Sequence, residues 1–271
     1  MKVYKHGIYD YITIVEIPKK QIKKIDFALC RQPSETLKSF YDRQTEKPDI
    51  VMNGGIFNLP DGKTYFNYLD EGQTISGWHW HTAGMGVVDG ELKYGALSSE
   101  KWTDFVSGYP PLIVEGKKRR SLLAYNADTV FMIAICLPGM KFSEAQDVLL
   151  AMGVTHAIAL DGGGSTKILH DGKSITSSLY NRAVDNVVAV WLNDIFRVQV
   201  GAFSNRIYAL AMQTKIRAVR DTIGAGYKNA YVRKIGDYYK VQVGAFSKKE
   251  SAQRVVDDLK EKGFDAFIAK D

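Results

Sequence analysis

"AIALDGGGST" runs from Ala157 to Thr166, an apolar stretch that breaks off on an aspartate and three glycines. Glycine brings no side chain to a core and loses the most backbone freedom on folding, so three in a row behind a strand mark a place where the bare backbone is used. Upstream, "FSEAQDVLLAMGV" at 142–154 has helical period. Ala145, Val148, Leu149 and Met152 make its apolar stripe, Ser143 with Gln146 reads as a capping box, and Gly153 stops it. "THAIAL" then reads as a buried strand, which puts Asp161 at its carboxyl end, where ligand-binding loops are commonly presented. The N–H groups of Gly162, Gly163 and Gly164 and the hydroxyls of Ser165 and Thr166 could ring an anionic oxygen. The same letters also fit a plain turn capped by Asp161.

Working outward, "VMNGGIFN" at 51–58 is a second strand-to-glycine transition, with Asn53 ahead of Gly54 and Gly55. "FNYLDEG" at 66–72 carries Asn67 and Asp70. "WHWH" at 78–81 puts His79 and His81 on one face of an extended strand and two tryptophans on the other. Two histidines without an evident third ligand read as polar lining rather than a metal site, and His79 is the one expected to line the substrate. "GYPPLIVEGK" at 108–117, the arginines Arg119 and Arg120, and "NRAVDNVVAVWL" at 181–192 complete the set.

In this colinear order, from about Val51 to Leu192, the motifs resemble the phosphodiester glycosidase family, which removes N-acetylglucosamine from a sugar-1-phosphodiester. The resemblance implies an α+β fold with a mixed sheet. It also implies a site made of Asn53, Gly54 and Gly55, the arginine at Arg120 (with Arg119 beside it), Asp161 to Ser165, and Arg182, with Asn67 and Asp70 as a polar pair in the loop after the first glycines. Expelling a phosphate monoester calls for charge stabilisation more than for a strong acid. Guanidinium forks at Arg120 and Arg182 therefore suit the phosphate, and a carboxylate, Asp161 first and Asp70 second, suits water activation or an oxocarbenium-like centre. No cofactor is expected, although a divalent cation, calcium or magnesium, could be held through Asp161.

The last quarter of the chain differs. Residues 196–271 hold 15 Lys+Arg against 8 Asp+Glu, whereas residues 1–195 hold 21 against 22, so the net charge of +6 belongs to the tail. There a nonapeptide repeats, "FRVQVGAFS" at 196–204 and "YKVQVGAFS" at 239–247. Period-two alternation makes both copies strands. Helices follow each: Tyr208, Met212, Ile216 and Val219 mark one, and Ala252, Val255, Val256 and Leu259 the other, with Ser247 and Glu250 as capping box and Gly263 as stop. "NAYVRKI" and "FDAFIA" complete a βαββαβ order of the ferredoxin or RNP type.

This doublet resembles the SPOR (sporulation-related repeat) domain, which implies binding to peptidoglycan glycan strands. If the valines face the helices, Arg197, Gln199, Lys240 and Gln242 point to the opposite, open sheet face and offer hydrogen bonds to sugars. An RNA-binding sheet of the same order would want stacking aromatics where the central strands carry Gln and Lys, so nucleic acid is not the expected partner.

The expected division is 1–193 for the catalytic part and 194–271 for the binding part. The joint reading is a hydrolase for a sugar-phosphodiester glycopolymer of the teichoic-acid type, held at the wall by its tail. A non-catalytic wall-binding protein and an RNA-associated phosphodiesterase are the rival readings. No run approaches a membrane span of roughly 18 apolar residues, and the start lacks a secretory apolar segment. The expectation is synthesis in the cytoplasm and action at the wall, with phage-type release reconciling the two. Cys30 and Cys136 are isolated and read as buried thiols.

Overall fold

The computed structural model describes residues 1–32, 34–58, 63–64, 67–76, 82–108, 116–177, 180–219, 227 and 229–270. Thus "WHWH", including His79, and the segment 109–115 lie outside the described residues. The chain divides into two compact units, Met1–Leu192 and Asn193–Asp271. Every strand pairing among the described residues is antiparallel.

Two five-stranded sheets face each other in the larger unit. The first has the order Lys2–Lys5, Ile12–Pro18, Thr129–Met140, Lys118–Tyr125, His156–Gly162. The second has the order Lys173–Ser174, Ile168–His170, Ile50–Asn53, Asn186–Leu192, Ile22–Leu29. Alternation sends Val15, Ile17, Leu123, Met132 and Ile158 from one sheet into the same core as Ile25, Phe27, Ile50, Met52 and Val188 from the other. The residues between them face outward, and each outer face is covered by a helix.

Helix Phe142–Ala151 lays Phe142, Ala145, Val148 and Leu149 on Ile12, Ile14, Leu122 and Ile133. Its cap differs from the expected pair of Ser143 and Gln146. The helix begins two residues earlier than that pair implies, so Glu144 rather than Gln146 reaches back, to the Lys141 N–H at 2.9 Å. Helix Leu37–Arg43 packs Leu37 and Phe40 on the other outer face, and Thr36 caps it by accepting from the Ser39 N–H at 3.1 Å. Burying a side chain of this size contributes roughly 1.5–3 kcal/mol. Both cysteines are free and buried.

A third sheet, in the order Gln73–Ser76, Tyr68–Asp70, Asp104–Ser107, Ala83–Val88, Glu91–Ala96, sends Tyr68, Met85, Val87 and Val106 into the same central core.

The smaller unit is βαββαβ, with sheet order Ala230–Ile235, Tyr238–Phe246, Phe196–Phe203, Phe267–Lys270. Val198, Val200, Val241 and Val243 pack on Ala209, Ile216, Ala252, Val256 and Leu259 of its two helices. Two expectations are corrected. Tyr208 is 65 % exposed, because Ala209 rather than Tyr208 starts the buried stripe of helix Arg206–Ala218. Helix Lys249–Glu261 starts after Lys248, with no side-chain cap from Ser247. No described helix is long and apolar enough to cross a membrane.

Candidate active site

The run from Asp161 to Thr166 carries the chain from one sheet to the other. Asp161 and Gly162 end a strand of the first sheet, Gly163–Ser165 form one 3-10 turn, and Ile168–His170 joins the second sheet beside Ile50–Asn53. Each glycine has its own reason. A Cβ at Gly162 would stand 2.4 Å from the Arg119 carbonyl oxygen, Gly163 has φ +60°, and a Cβ at Gly164 would stand 2.8 Å from Arg182 Cζ.

Asn53 ties the crossing from the opposite sheet. Its Nδ2 donates to the Asp161 carbonyl oxygen at 2.8 Å, while its Oδ1 accepts from Ser121 Oγ at 2.6 Å and from the Lys167 N–H at 3.2 Å. The Asp161 N–H in turn donates to the Gly54 carbonyl oxygen at 3.0 Å. The side chain of Asn53 is fully buried with both ends engaged, so it positions Asp161 rather than touching a substrate.

The first glycine pair, expected to belong to the site, has both its N–H groups taken up within the fold. The Gly54 N–H donates to the Asn186 carbonyl oxygen at 2.9 Å and the Gly55 N–H to Asn186 Oδ1 at 2.6 Å. A Cβ at Gly54 would fall 2.0 Å from Asn186 Oδ1, and one at Gly55 2.6 Å from Val106 Cγ2. Glycine is required here by close approach. Beside them Asn67 is buried, exchanging bonds with Ser107: its N–H donates to Ser107 Oγ at 3.0 Å and its carbonyl accepts from the Ser107 N–H at 2.9 Å.

The Asp161 carboxylate accepts from the Gly162 N–H at 2.8 Å. Burial raises its pKa above the ordinary aspartate value, opposed by Ser165, by that N–H, and by the charge of Arg182. The Ser165 and Thr166 hydroxyls are buried beside it, and neither makes a hydrogen bond of normal geometry among the described residues. Arg182 itself is exposed, with its guanidinium against Gly164.

The strand Lys118–Tyr125 settles which arginine faces this site. Ser121 points to Asn53, and Arg119, two residues away, shares that face. Arg120 points the other way, is 7 % exposed, and lies over the Phe142 ring at 4.6 Å. The expected Arg120 therefore turns away from Asn53, while the Arg119 guanidinium lies 4.9 Å from the Tyr180 ring centroid. Lys167 Nζ reaches Asn181 Oδ1 at 3.0 Å and the Tyr180 carbonyl at 3.4 Å. Around 180–182, then, three cations gather: Arg119, Lys167 and Arg182.

Asp70 belongs elsewhere. Its carboxylate accepts from the Leu29 N–H at 3.3 Å and feels Asp26, Glu71 and Lys24 rather than Asp161. Sequence reading missed Asn186, Ser121, Lys167 and Tyr180. Only Asn186 left a signal, as half of the polar pair Asp185–Asn186 opening an otherwise apolar strand.

In the smaller unit Gln199 and Gln242 are cross-strand partners on the face away from the helices. They are not solvated as expected. Exposure is 6 % and 1 %, and their Oε1 atoms have no hydrogen-bond partner among the described residues. Arg197 Nη1 donates to Tyr231 Oη at 2.6 Å on a neighbouring part of the sheet, and Lys240 is half-buried.

Comparison with known proteins agrees with this division. A family model described as phosphodiester glycosidase matches residues 37–191, and a SPOR domain model matches residues 193–270. Among solved structures, the zebrafish N-acetylglucosamine-1-phosphodiester alpha-N-acetylglucosaminidase catalytic domain, auto-inhibited by its pro-peptide, has TM-score 0.53 and 16% identity, covering 69% of this chain and 85% of that one. A hypothetical protein from Synechocystis has TM-score 0.54 and 12% identity, covering 67% and 59%. The peptidoglycan-binding domain of the B. subtilis cell wall lytic enzyme CwlC is 29% identical over 29% of this chain and 90% of that one, at TM-score 0.25. No curated protein sequence matches the chain.

Proposed function

The chain belongs to the phosphodiester glycosidase family, and on that premise we propose that it hydrolyses a sugar-1-phosphodiester of the N-acetylglucosamine-1-phosphate type within a bacterial wall glycopolymer such as teichoic acid. The observation that carries this reading is one partly buried carboxylate, Asp161, that feels the charge of Arg182, whose guanidinium lies against Gly164.

In this mechanism the bond between C1 and the phosphate oxygen breaks with its electron pair leaving on phosphate. Arg182, helped by Arg119 and Lys167, matches the charge that develops there. Water adds to C1 and gives its proton to Asp161, whose raised pKa makes it a better acceptor than an ordinary aspartate. The buried hydroxyls of Ser165 and Thr166 supply hydrogen bonds for the sugar or the incoming water. Asn53, Ser121 and Asn186 hold the two bends in register.

Residues 193–270 match the SPOR domain, and in this reading they hold glycan strands of peptidoglycan on the sheet face of Arg197, Gln199, Lys240 and Gln242. The unpartnered Gln199 and Gln242 oxygens are acceptors for sugar hydroxyls or acetamide N–H groups. Tethering raises the local concentration of the hydrolase at its polymer, so modest sugar affinity suffices.

Incubation with UDP-N-acetylglucosamine and with purified Gram-positive walls tests the activity. Release of free N-acetylglucosamine by the natural chain, abolished in Asp161→Asn, is the expected result. Sugar binding without turnover would leave a carbohydrate-binding protein instead.

A further inference from the structure

Asp26, Asp70 and Asp104 come from three strands in two sheets, yet one carboxylate oxygen of each lies within 4.8 Å of the others. Against them stand a single ammonium, Lys24 on Asp26 Oδ2 at 2.5 Å, and two N–H donors. Leu29 N–H reaches Asp70 Oδ2 at 3.3 Å, and Glu71 N–H reaches Asp104 Oδ1 at 3.1 Å. The Lys24 side chain is 58% exposed, so most of the acidic charge is unmatched. Asp104 is 4 % exposed.

A second observation points into the same place. Tyr68 is fully buried, and its hydroxyl has no hydrogen-bond partner among the described residues. Tyr68 and Asp70 are two residues apart in one strand and share a face. The strand pairing sets Tyr68 opposite Val106, and so on the face of the neighbouring strand that carries Asp104. An orphan hydroxyl and three acids around one point make a set of hard oxygen donors, without the nitrogen or sulfur that zinc and copper favour.

We infer that Asp26, Asp70 and Asp104, with the Tyr68 hydroxyl, bind one hard divalent cation of the calcium kind, separately from Asp161. Donors on opposite sides of a calcium ion lie about 5 Å apart, which suits the observed spread. Magnesium prefers a tight octahedron and keeps its waters, which three strand-borne carboxylates and a phenol suit less well. The ion would clip strand Ile22–Leu29 to the third sheet. Leu29 lies opposite Asn186, so the clip also supports the residue that holds Gly54 and Gly55.

The test uses the full chain, stripped with EDTA and desalted, and reads calcium binding by calorimetry and melting temperature with calcium or magnesium added. One calcium per chain and a melting temperature raised by several degrees are expected, with magnesium giving less. Asp104→Asn should lose the calcium increment yet melt higher than the natural chain in EDTA, because it removes repulsion. Tyr68→Phe should keep its melting temperature in EDTA and bind calcium severalfold more weakly. Absence of any divalent-cation effect on the stripped natural chain, a response to magnesium alone, or a calcium increment surviving in Asp104→Asn would overturn the site. These readouts do not involve turnover, so they stand or fall apart from the proposed hydrolysis.

Discussion

Arg182 and Gly164 touch in a way that leaves no room for a methyl group: a Cβ on the glycine would stand 2.8 Å from the guanidinium carbon. The two residues lie eighteen positions apart, and the charge of this guanidinium acts on Asp161.

Gly164→Ala should push the guanidinium aside and lower kcat/KM about 10-fold or more, since small misplacements in a charged site are costly. Arg182→Lys keeps the charge but loses the planar fork, with an expected loss of about 10²-fold. Because Arg182 is exposed, the melting temperature of Arg182→Lys should stay near that of the natural chain. Full activity in Gly164→Ala would remove Arg182 from the mechanism.

Burial raises the Asp161 pKa, so the acidic limb of the activity profile should lie above the ordinary carboxylate range. As pH falls through that raised value the carboxylate takes a proton and can no longer accept one from water, and turnover stops. Arg182→Ala, by removing the charge that opposes the shift, should move the limb higher still. For stability the sign is opposite. The folded chain holds this proton more tightly than the unfolded one, so the group stabilises most at low pH and that contribution is lost as pH rises through the folded pKa. Asp161→Asn should thus be inactive yet at least as stable as the natural chain at neutral pH. A limb that ignores Arg182→Ala would show that another group controls it.

Asn53→Ala removes three buried hydrogen bonds and leaves Ser121 Oγ and the Lys167 N–H without their acceptor. The expected cost is about 2–4 kcal/mol by denaturant unfolding, against about 1 kcal/mol for Ser121→Ala. Equal small effects of both would mean that the two sheet ends are not joined through Asn53.

Ending the chain at Leu192 leaves the larger compact unit intact. Turnover of a small soluble phosphodiester should be nearly unchanged, while release from whole walls should fall about 10-fold or more. The double variant Gln199→Ala/Gln242→Ala in the full chain should weaken retention on purified peptidoglycan. Parallel loss on both substrates after truncation would end the tether.

Much of the architecture was written in local pattern. The repeated "VQVGAFS" has period two and is followed each time by helical period, and a four-stranded sheet with two helices satisfies both, as the buried Val198, Val200, Val241 and Val243 show. The run from Ala157 to Thr166 likewise announced a strand ending in a backbone-dependent turn. Cap residues were less legible, because a shift of two residues exchanges the pair Ser143 and Gln146 for Lys141 and Glu144 at little cost.

Side-chain period and backbone freedom act within a few residues, so local sequence is enough to place strands, helices and glycine bends. The face each strand turns inward and the distant partner each bend meets follow from the assembled fold. In "RRSLL" both faces of the strand are buried, so alternation could not tell Arg119 from Arg120; the helix carrying Phe142 on one side and Asn53 on the other did. Nothing near Gly54 in sequence reveals Asn186, and nothing near Asp70 reveals Asp26 and Asp104. Close packing between sheets brings such residues together, and those contacts depend on the whole fold rather than on any one segment.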